Sequence, residues 1–444
     1  MPSEFQTALF DPADPKAALA ELPREAAVFA LYGADAHAEP YIGRTPNLRA
    51  RLERLLQPSP RHPRRLHLAG LVRRIEWRAT GSEFESLLEQ FSLLETVFGA
   101  KVLERMHLRA PAFVRFLGGN PYPRVVVTHR PSQREADWVF GPFASRAAAE
   151  RYVDEALKLF LLRRCTDDLS PDPSHPGCVY SEMKMCLAPC YKGCSDERYA
   201  EESAAVESFL ATRGESRLVT LRAARDQASA NLEFESAAAL HAQVQRVESV
   251  RALAPELVRP MSRLRAVILQ ASAQAGEVAV FLFENGTLRG PAAFSTLGMR
   301  IQNEQSGSTS LFAQPMAIEA TLEPSADAAA EKTSRTQLEA RLDETLAALA
   351  ETLAAPTPTQ RQGHLALLKR WYYRPEVRRT GEIFFTEADD RWPTRAILRG
   401  VGRVAAAKLK PSTGQKPEAQ RPEALAAKSG EGDESANAAP NKNR

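Results

Sequence analysis

Cys165, Cys178, Cys186, Cys190 and Cys194 are the residues of this chain most suited to specific chemistry. All five cysteines lie in one short stretch, and the other residues of the 444-residue sequence include none. Scattered core thiols would not cluster in this way. Disulfides do not persist in a reducing cytosol, and thiolates are soft ligands suited to zinc or to iron–sulfur clusters. The spacing is Cys165-x12-Cys178-x7-Cys186-x3-Cys190. In the last pair, Cys186-Leu187-Ala188-Pro189-Cys190 sets two sulfurs at one tight turn. Zinc and a cluster both remain open at this spacing, with Cys194 a spare thiol or alternate ligand.

The elements that must position these thiols follow from periodicity. Val28–Tyr32 and Tyr41–Gly43 are expected as strands, with a polar turn between them. Asn47 is expected to cap a helix over Leu48–Leu56. A third strand is expected over Leu71–Arg78. Phe84, Leu87, Leu88, Phe91, Leu94 and Phe98 then form one stripe of a helix. Tyr122–Thr128 reads as a strand, Phe140-Gly141-Pro142-Phe143 as a turn, and Ser145–Phe160 as a helix leading into the cysteines. Residues 196–251 read as mostly helical, with two helices meeting near Asn231. Phe234, Ala237, Leu240, Val244 and Val247 form one apolar stripe there. A short hairpin of this kind cannot bury both faces alone, so it needs a partner or its own domain to cover it.

Ala266–Leu269, Val278–Phe283 and Leu288–Phe294 read as strands, and Asn285-Gly286 marks the hairpin between the last two. Leu338–Leu353 reads as a helix. Residues 1–22 read as a loose leader, 303–310 and 323–336 as linker, and 405–444 as a disordered tail too polar to bury a core. Asp389 and Asp390 read as a loop charge pair, and Gly400-Val401-Gly402 as a glycine turn.

Composition bounds the function class. The formal net charge of +3, with 44% hydrophobic and 25% charged residues, is that of ordinary globular protein. A nucleic-acid partner must therefore be argued from local patches, such as Arg49, Arg51, Arg54, Arg61, Arg64 and Arg65. The N-terminus shows no signal pattern, and no run reaches the roughly 18 apolar residues of a membrane span. A cytoplasmic protein without a membrane partner is expected.

Several of these segments resemble the UvrC family of excinuclease incision subunits. The text Val28-Phe29, Tyr41-Ile42-Gly43-Arg44, then Arg51, then Leu87-Leu88-Glu89-Gln90 is similar to the GIY-YIG nuclease domain. The resemblance implies catalytic roles for Tyr41, Arg44 and Arg51, and a Mg²⁺ or Mn²⁺ ion held by Glu89. The sequence departs from the family at Ala27, Phe29, Arg44, Leu55 and Lys101. Phe29 lacks a phenol, and the Arg44 guanidinium stays protonated where the family has a lysine.

Phe140–Phe143, Arg163-Arg164-Cys165 and Cys186–Cys190 also resemble the family. They imply a [4Fe–4S] cluster on Cys165, Cys178, Cys186 and Cys190, with zinc as the alternative. Asn231-Leu232-Glu233-Phe234-Glu235, with Ala237, Ala238 and Leu240, resembles the UVR motif, which implies docking on a UvrB-like partner.

The implied layout is a multidomain α/β chain. It comprises a small mixed-sheet GIY-YIG-like domain (22–105), a connecting region (106–163), a cysteine segment (164–195) and a helical region (196–252) with the UVR motif at 217–251. A strand-rich UvrC-like intermediate domain (264–404) follows, and the family's RNase H-like domain is expected to be lacking. The implied function is SOS-type nucleotide-excision repair: docking on UvrB at damaged double-stranded DNA and making a single 3′-side incision. The alternatives are a non-cutting factor that binds UvrB and DNA, and a redox-sensing regulator.

Overall fold

The computed structural model describes residues 5–35, 37–57, 68–131, 133–166, 169–297, 299, 326–351, 355–387 and 389–409. Arg61, Arg64, Arg65, the 303–310 linker and most of the expected tail lie outside them. The described chain is mixed α/β, with three four-stranded antiparallel sheets.

The first sheet has the order β1-β4-β2-β3, from β1 (Gln6–Leu9), β2 (Ala27–Gly33), β3 (Tyr41–Thr45) and β4 (Val72–Ala79). Helix α1 (Pro15–Ala20) follows β1, so the described part of the expected leader, 5–22, is not loose: Gln6–Leu9 pair with Arg74–Trp77. Helix α2 (Leu48–Leu56) starts where expected, with Asn47 Oδ1 accepting the Ala50 amide at 3.0 Å. The connection from β3 through α2 carries β4 past β3 to the far side of β2. Every neighbouring pair is therefore antiparallel, where a mixed sheet was expected.

Helix α3 (Glu83–Phe98) is capped by Ser82 and buries Phe84, Leu87, Leu88, Phe91 and Leu94, as its stripe requires. The short α4 (Val102–Arg105) ends this segment.

The second sheet has the order β6-β5-β7-β8, from β5 (Ala112–Phe116), β6 (Val125–Thr128), β7 (Val139–Phe143) and β8 (Arg259–Pro260). Two expectations fail here. The Tyr122–Thr128 strand begins only at Val125. Phe140–Phe143 is not a turn but a fully buried strand. It pairs with β5 across a register shift between Ala112 and Val114, which accommodates a proline that has no amide to donate. Helix α5 (Arg146–Leu157) covers this sheet, and the short α6 (Val179–Glu182) lies in the cysteine segment. Helices α7 (Asp196–Ala211), α8 (Glu215–Ala230) and α9 (Phe234–Arg251) follow. Leu218, Leu221, Val244, Val247 and Val250 join the core of the second sheet.

The third sheet has the order β11-β10-β9-β12, from β9 (Ala266–Ala271), β10 (Glu277–Glu284), β11 (Thr287–Ser295) and β12 (Glu382–Phe385). Asn285 (φ 53°) and Gly286 (φ 80°) make the expected hairpin turn. Helices α10 (Ala326–Ala350), α11 (Pro358–Tyr372) and α12 (Thr394–Leu409) complete the described chain. Helix α10 begins inside the expected 323–336 linker, and α12 runs straight through Gly400-Val401-Gly402.

That glycine pair is thus not a turn. Ile397, Leu398, Val401 and Val404 are buried against β9 and β10. A Cβ on Gly400 would meet Phe384 Cζ at 2.5 Å, so the glycine serves close packing. No described helix is long and apolar enough to cross a membrane.

Candidate functional site

The resemblance singled out Tyr41, Arg44, Arg51 and Glu89. The first sheet separates them by its pleat, since alternate residues of a strand face opposite sides. Tyr41 and Gly43 share one face with Phe29 and Trp77, packed towards α2. Arg51 on α2 donates to the Tyr41 hydroxyl at 3.3 Å. Phe29 is fully buried, with its ring 6.1 Å from that of Tyr41. A Cβ on Gly43 would meet Phe29 Cζ at 2.8 Å. A benzene ring therefore fills the space beside Tyr41 and offers no proton donor or acceptor.

Arg44 and Arg78, both opposite Val28, occupy the other face, beneath α3. Arg44 lies 3.4 Å from Glu83. Arg78 Nη1 donates to Glu89 Oε2 at 2.6 Å, and both side chains are largely buried. The structure thus joins Tyr41 with Arg51 but holds Arg44 and Glu89 in separate ion pairs across the sheet.

The electrostatics on that face had no sequence signal beyond the spacing of Glu85 and Glu89. Burial pushes the Glu89 carboxyl up, against the pull of Arg78. Burial also pushes Glu85 up to about 7; the Gly81 amide it accepts at 2.8 Å opposes this, and the neighbouring Glu89 adds to it. Among the described residues, no three His, Cys, Asp or Glu side chains converge to hold a metal ion. With its carboxylate engaged by Arg78, Glu89 does not fit the role of a lone metal ligand, so no catalytic step through such an ion follows from this geometry.

The cysteine segment is a chain of tight turns. Ala188 and Lys192 are left-handed, at φ 55° and 59°. The Ala188 and Tyr191 backbone amides pull the Cys186 and Cys190 thiols down, respectively. Arg163 Nη1 approaches Cys165 Sγ at 3.6 Å. Burial raises the Cys186 and Cys190 thiols, and Cys165 and Cys178 act on both in the same direction. The Cys194 thiol, also raised mainly by burial, responds instead to Asp196 and Arg198.

Cys165 and Cys178 thus act on both Cys186 and Cys190, whereas Cys194 answers to Asp196 and Arg198. Thiolates suit a soft metal or an iron–sulfur group by donor type alone. The sulfurs are not gathered as tightly as a single metal ion needs.

The helical hairpin divides in two. Its base is buried in the second core and clasped by Arg222–Glu248 at 2.7 Å and Arg251–Glu215 at 2.9 Å. Its tip is bare: Leu232 is 71% and Phe234 66% exposed. Asn231 accepts from Gln227 at 3.1 Å, and Leu232 takes a left-handed φ of 62°. Ala237 and Leu240 are half-buried and Ala238 is exposed. The expected apolar stripe is thus covered from Val244 onward and open before it.

Residues 113–209 match the family described as UvrC/Cho excinuclease, middle domain. That span takes in β5 to β7, α5, the whole cysteine segment and most of α7. The chain is UvrC-like. It is 29% identical over 238 residues to the UvrABC system protein C of Alcanivorax borkumensis, covering 54% of this chain and 39% of that one. It is 30% identical over 288 residues to the protein of the same name from Brucella abortus, covering 62% and 46%. This UvrC-like chain therefore spans less than half the length of these relatives. No solved structure matches it.

The Glu85 shift gives a signed expectation. An acid whose folded pKa lies above its unfolded value adds stability at low pH and loses it as pH rises through the folded value. Glu85 should therefore cost stability between about pH 4.5 and about 7. Buried His364, lowered to about 4, acts oppositely, adding stability as pH rises from about 4 to 6.5. In urea melts across this window, stability of Glu85→Gln relative to wild type should rise with pH. A constant difference would mean that Glu85 does not titrate there.

Proposed function

We propose that this UvrC-like chain serves nucleotide-excision repair as a docking factor. In this reading the hairpin tip engages a UvrB-like partner, and the GIY-YIG-like sheet holds damaged double-stranded DNA without cutting it. The observation that carries the non-cutting reading is the placement of the nuclease-like residues. Tyr41 and Arg51 share one face of the sheet beside a sealed phenyl ring, while Glu89 is paired with Arg78 on the other.

The second reading, a single metal-dependent 3′-side incision, is favoured by the Arg51–Tyr41 contact, which keeps a phenol beside a guanidinium. An end-labelled, lesion-bearing duplex with cognate UvrA, UvrB, ATP and Mg²⁺ or Mn²⁺ decides between them. The docking reading expects a UvrB-dependent complex on the duplex and no new cut. A single cut that disappears in Glu89→Ala would replace it with the incision reading.

The bare tip supports the partner assignment. Large exposed aromatic and aliphatic side chains on a rigid turn are typical anchors for a partner surface. Phe234→Ala and Leu232→Ala should each weaken UvrB binding about tenfold or more. The melting temperature should stay within about a degree of wild type, because neither side chain supports the core. Equal affinity for wild type and both variants, in a titration against labelled UvrB, would remove the tip from the interface.

Cys165, Cys178, Cys186 and Cys190 are proposed to hold a [4Fe–4S] cluster, with zinc as the alternative. When bound, such a group would cross-link a segment that has little apolar core of its own. Anaerobically purified protein should show broad visible absorption that Cys186→Ser loses and Cys194→Ser keeps. Colourless protein with stoichiometric zinc would establish the alternative.

A further inference from the structure

Helix α11 packs against α3, β11 and β7, and its last turn is firmly anchored. Trp371 is buried, with its indole nitrogen donating to Thr380 O at 3.1 Å. Tyr373 donates to Pro142 O at 2.9 Å. These anchors fix Arg374, whose guanidinium grips both oxygens of Glu83 at 2.8 Å each. Arg44 of β3 approaches the same carboxylate at 3.4 Å. Exposed Arg370 lies near enough, with Arg374, to oppose the charge on Arg44.

Arg44 and Arg374 thus share one carboxylate, and Arg370 lies within electrostatic reach of it. Guanidiniums do not shed protons to relieve repulsion, so the group carries two uncompensated positive charges. Glu83 is itself half-exposed. A tetrahedral anion with two free oxygens suits the guanidinium fork as well as a carboxylate does.

The place in the fold identifies the anion. Strand β3 is an edge of its sheet. Arg44 lies on one side of that edge, and Tyr41 with Arg51 on the other. We infer that Arg44, Arg370 and Arg374 form a binding site for the phosphodiester backbone of double-stranded DNA, with the nucleic acid lying along the edge of β3. Two of its three cations come from the far end of the chain, so the site exists only when α11 is seated. Glu83 holds the forks in position and competes with the phosphate for them.

The site rests on the reading of the chain as a DNA-binding protein. The test measures fluorescence anisotropy of a labelled duplex of about 30 base pairs with the full chain, between about 50 and 200 mM salt. Removing one phosphate contact lowers the slope of log affinity against log salt by about 0.9. Arg370→Ala should lower it by that amount and weaken binding several-fold at low salt, with unchanged melting temperature. Arg370→Lys should retain the slope. Glu83→Gln should bind more tightly than wild type, an effect that a general loss of structure does not produce.

Wild-type affinity and slope in both Arg370→Ala and Glu83→Gln would overturn the site while leaving DNA binding intact. Absence of salt-dependent duplex binding by the wild type would overturn the site and the DNA-binding reading together.

Discussion

A helix whose apolar face is wider than its own sheet can cover must find a second surface, and α3 is such a helix. Phe84 meets Phe281 edge-on at 5.1 Å and Trp371 at 5.2 Å. One core runs through α3, the third sheet and α11. Burying aromatic side chains of this size contributes roughly 2–3 kcal/mol each. The first sheet is therefore held from behind by residues more than a hundred positions away. The seating of Arg374 on Glu83, the burial of Glu85 and the pairing of Glu89 with Arg78 all follow from that closure.

Much of the local structure could be read from the residues because local rules determine it. The Asn47 cap, the α3 stripe, the Asn285-Gly286 hairpin and the meeting of α8 and α9 near Asn231 each depend on a few neighbouring residues. Pairing between distant segments was not legible. Phe140-Gly141-Pro142-Phe143 has turn-like composition, yet four buried positions between two partner strands make it a strand. Gly400 and Gly402 likewise suggested a turn, while burial of Ile397, Val401 and Val404 along one face of α12 favours a helix.

The candidate site was legible as a list of residues and not as an arrangement. The expected strand stopped at Gly43, whereas β3 runs on to Thr45 and so puts Tyr41 and Arg44 on opposite faces. What the sequence could not show was that α2 and α3 cover different faces, which separates Arg51 from Glu89. The three-arginine group was hidden for the same reason: Arg44 and Arg374 are far apart in sequence. The cysteines were legible in another way: all five fall in one short stretch of sequence, which marks the segment without any knowledge of the fold.

The hairpin leaves the second sheet after β7 and the chain returns to it at β8, where Phe140 opposes Pro260 and Gly141 opposes Arg259. Its two legs are thus rooted near one place, with the Arg222–Glu248 and Arg251–Glu215 pairs tying them together. A load applied at Leu232 or Phe234 meets the paired legs first. It passes down a two-legged strut into the strand beside Phe143 and the helix that carries Tyr152. A partner gripping the tip would therefore hold the core of the second sheet directly.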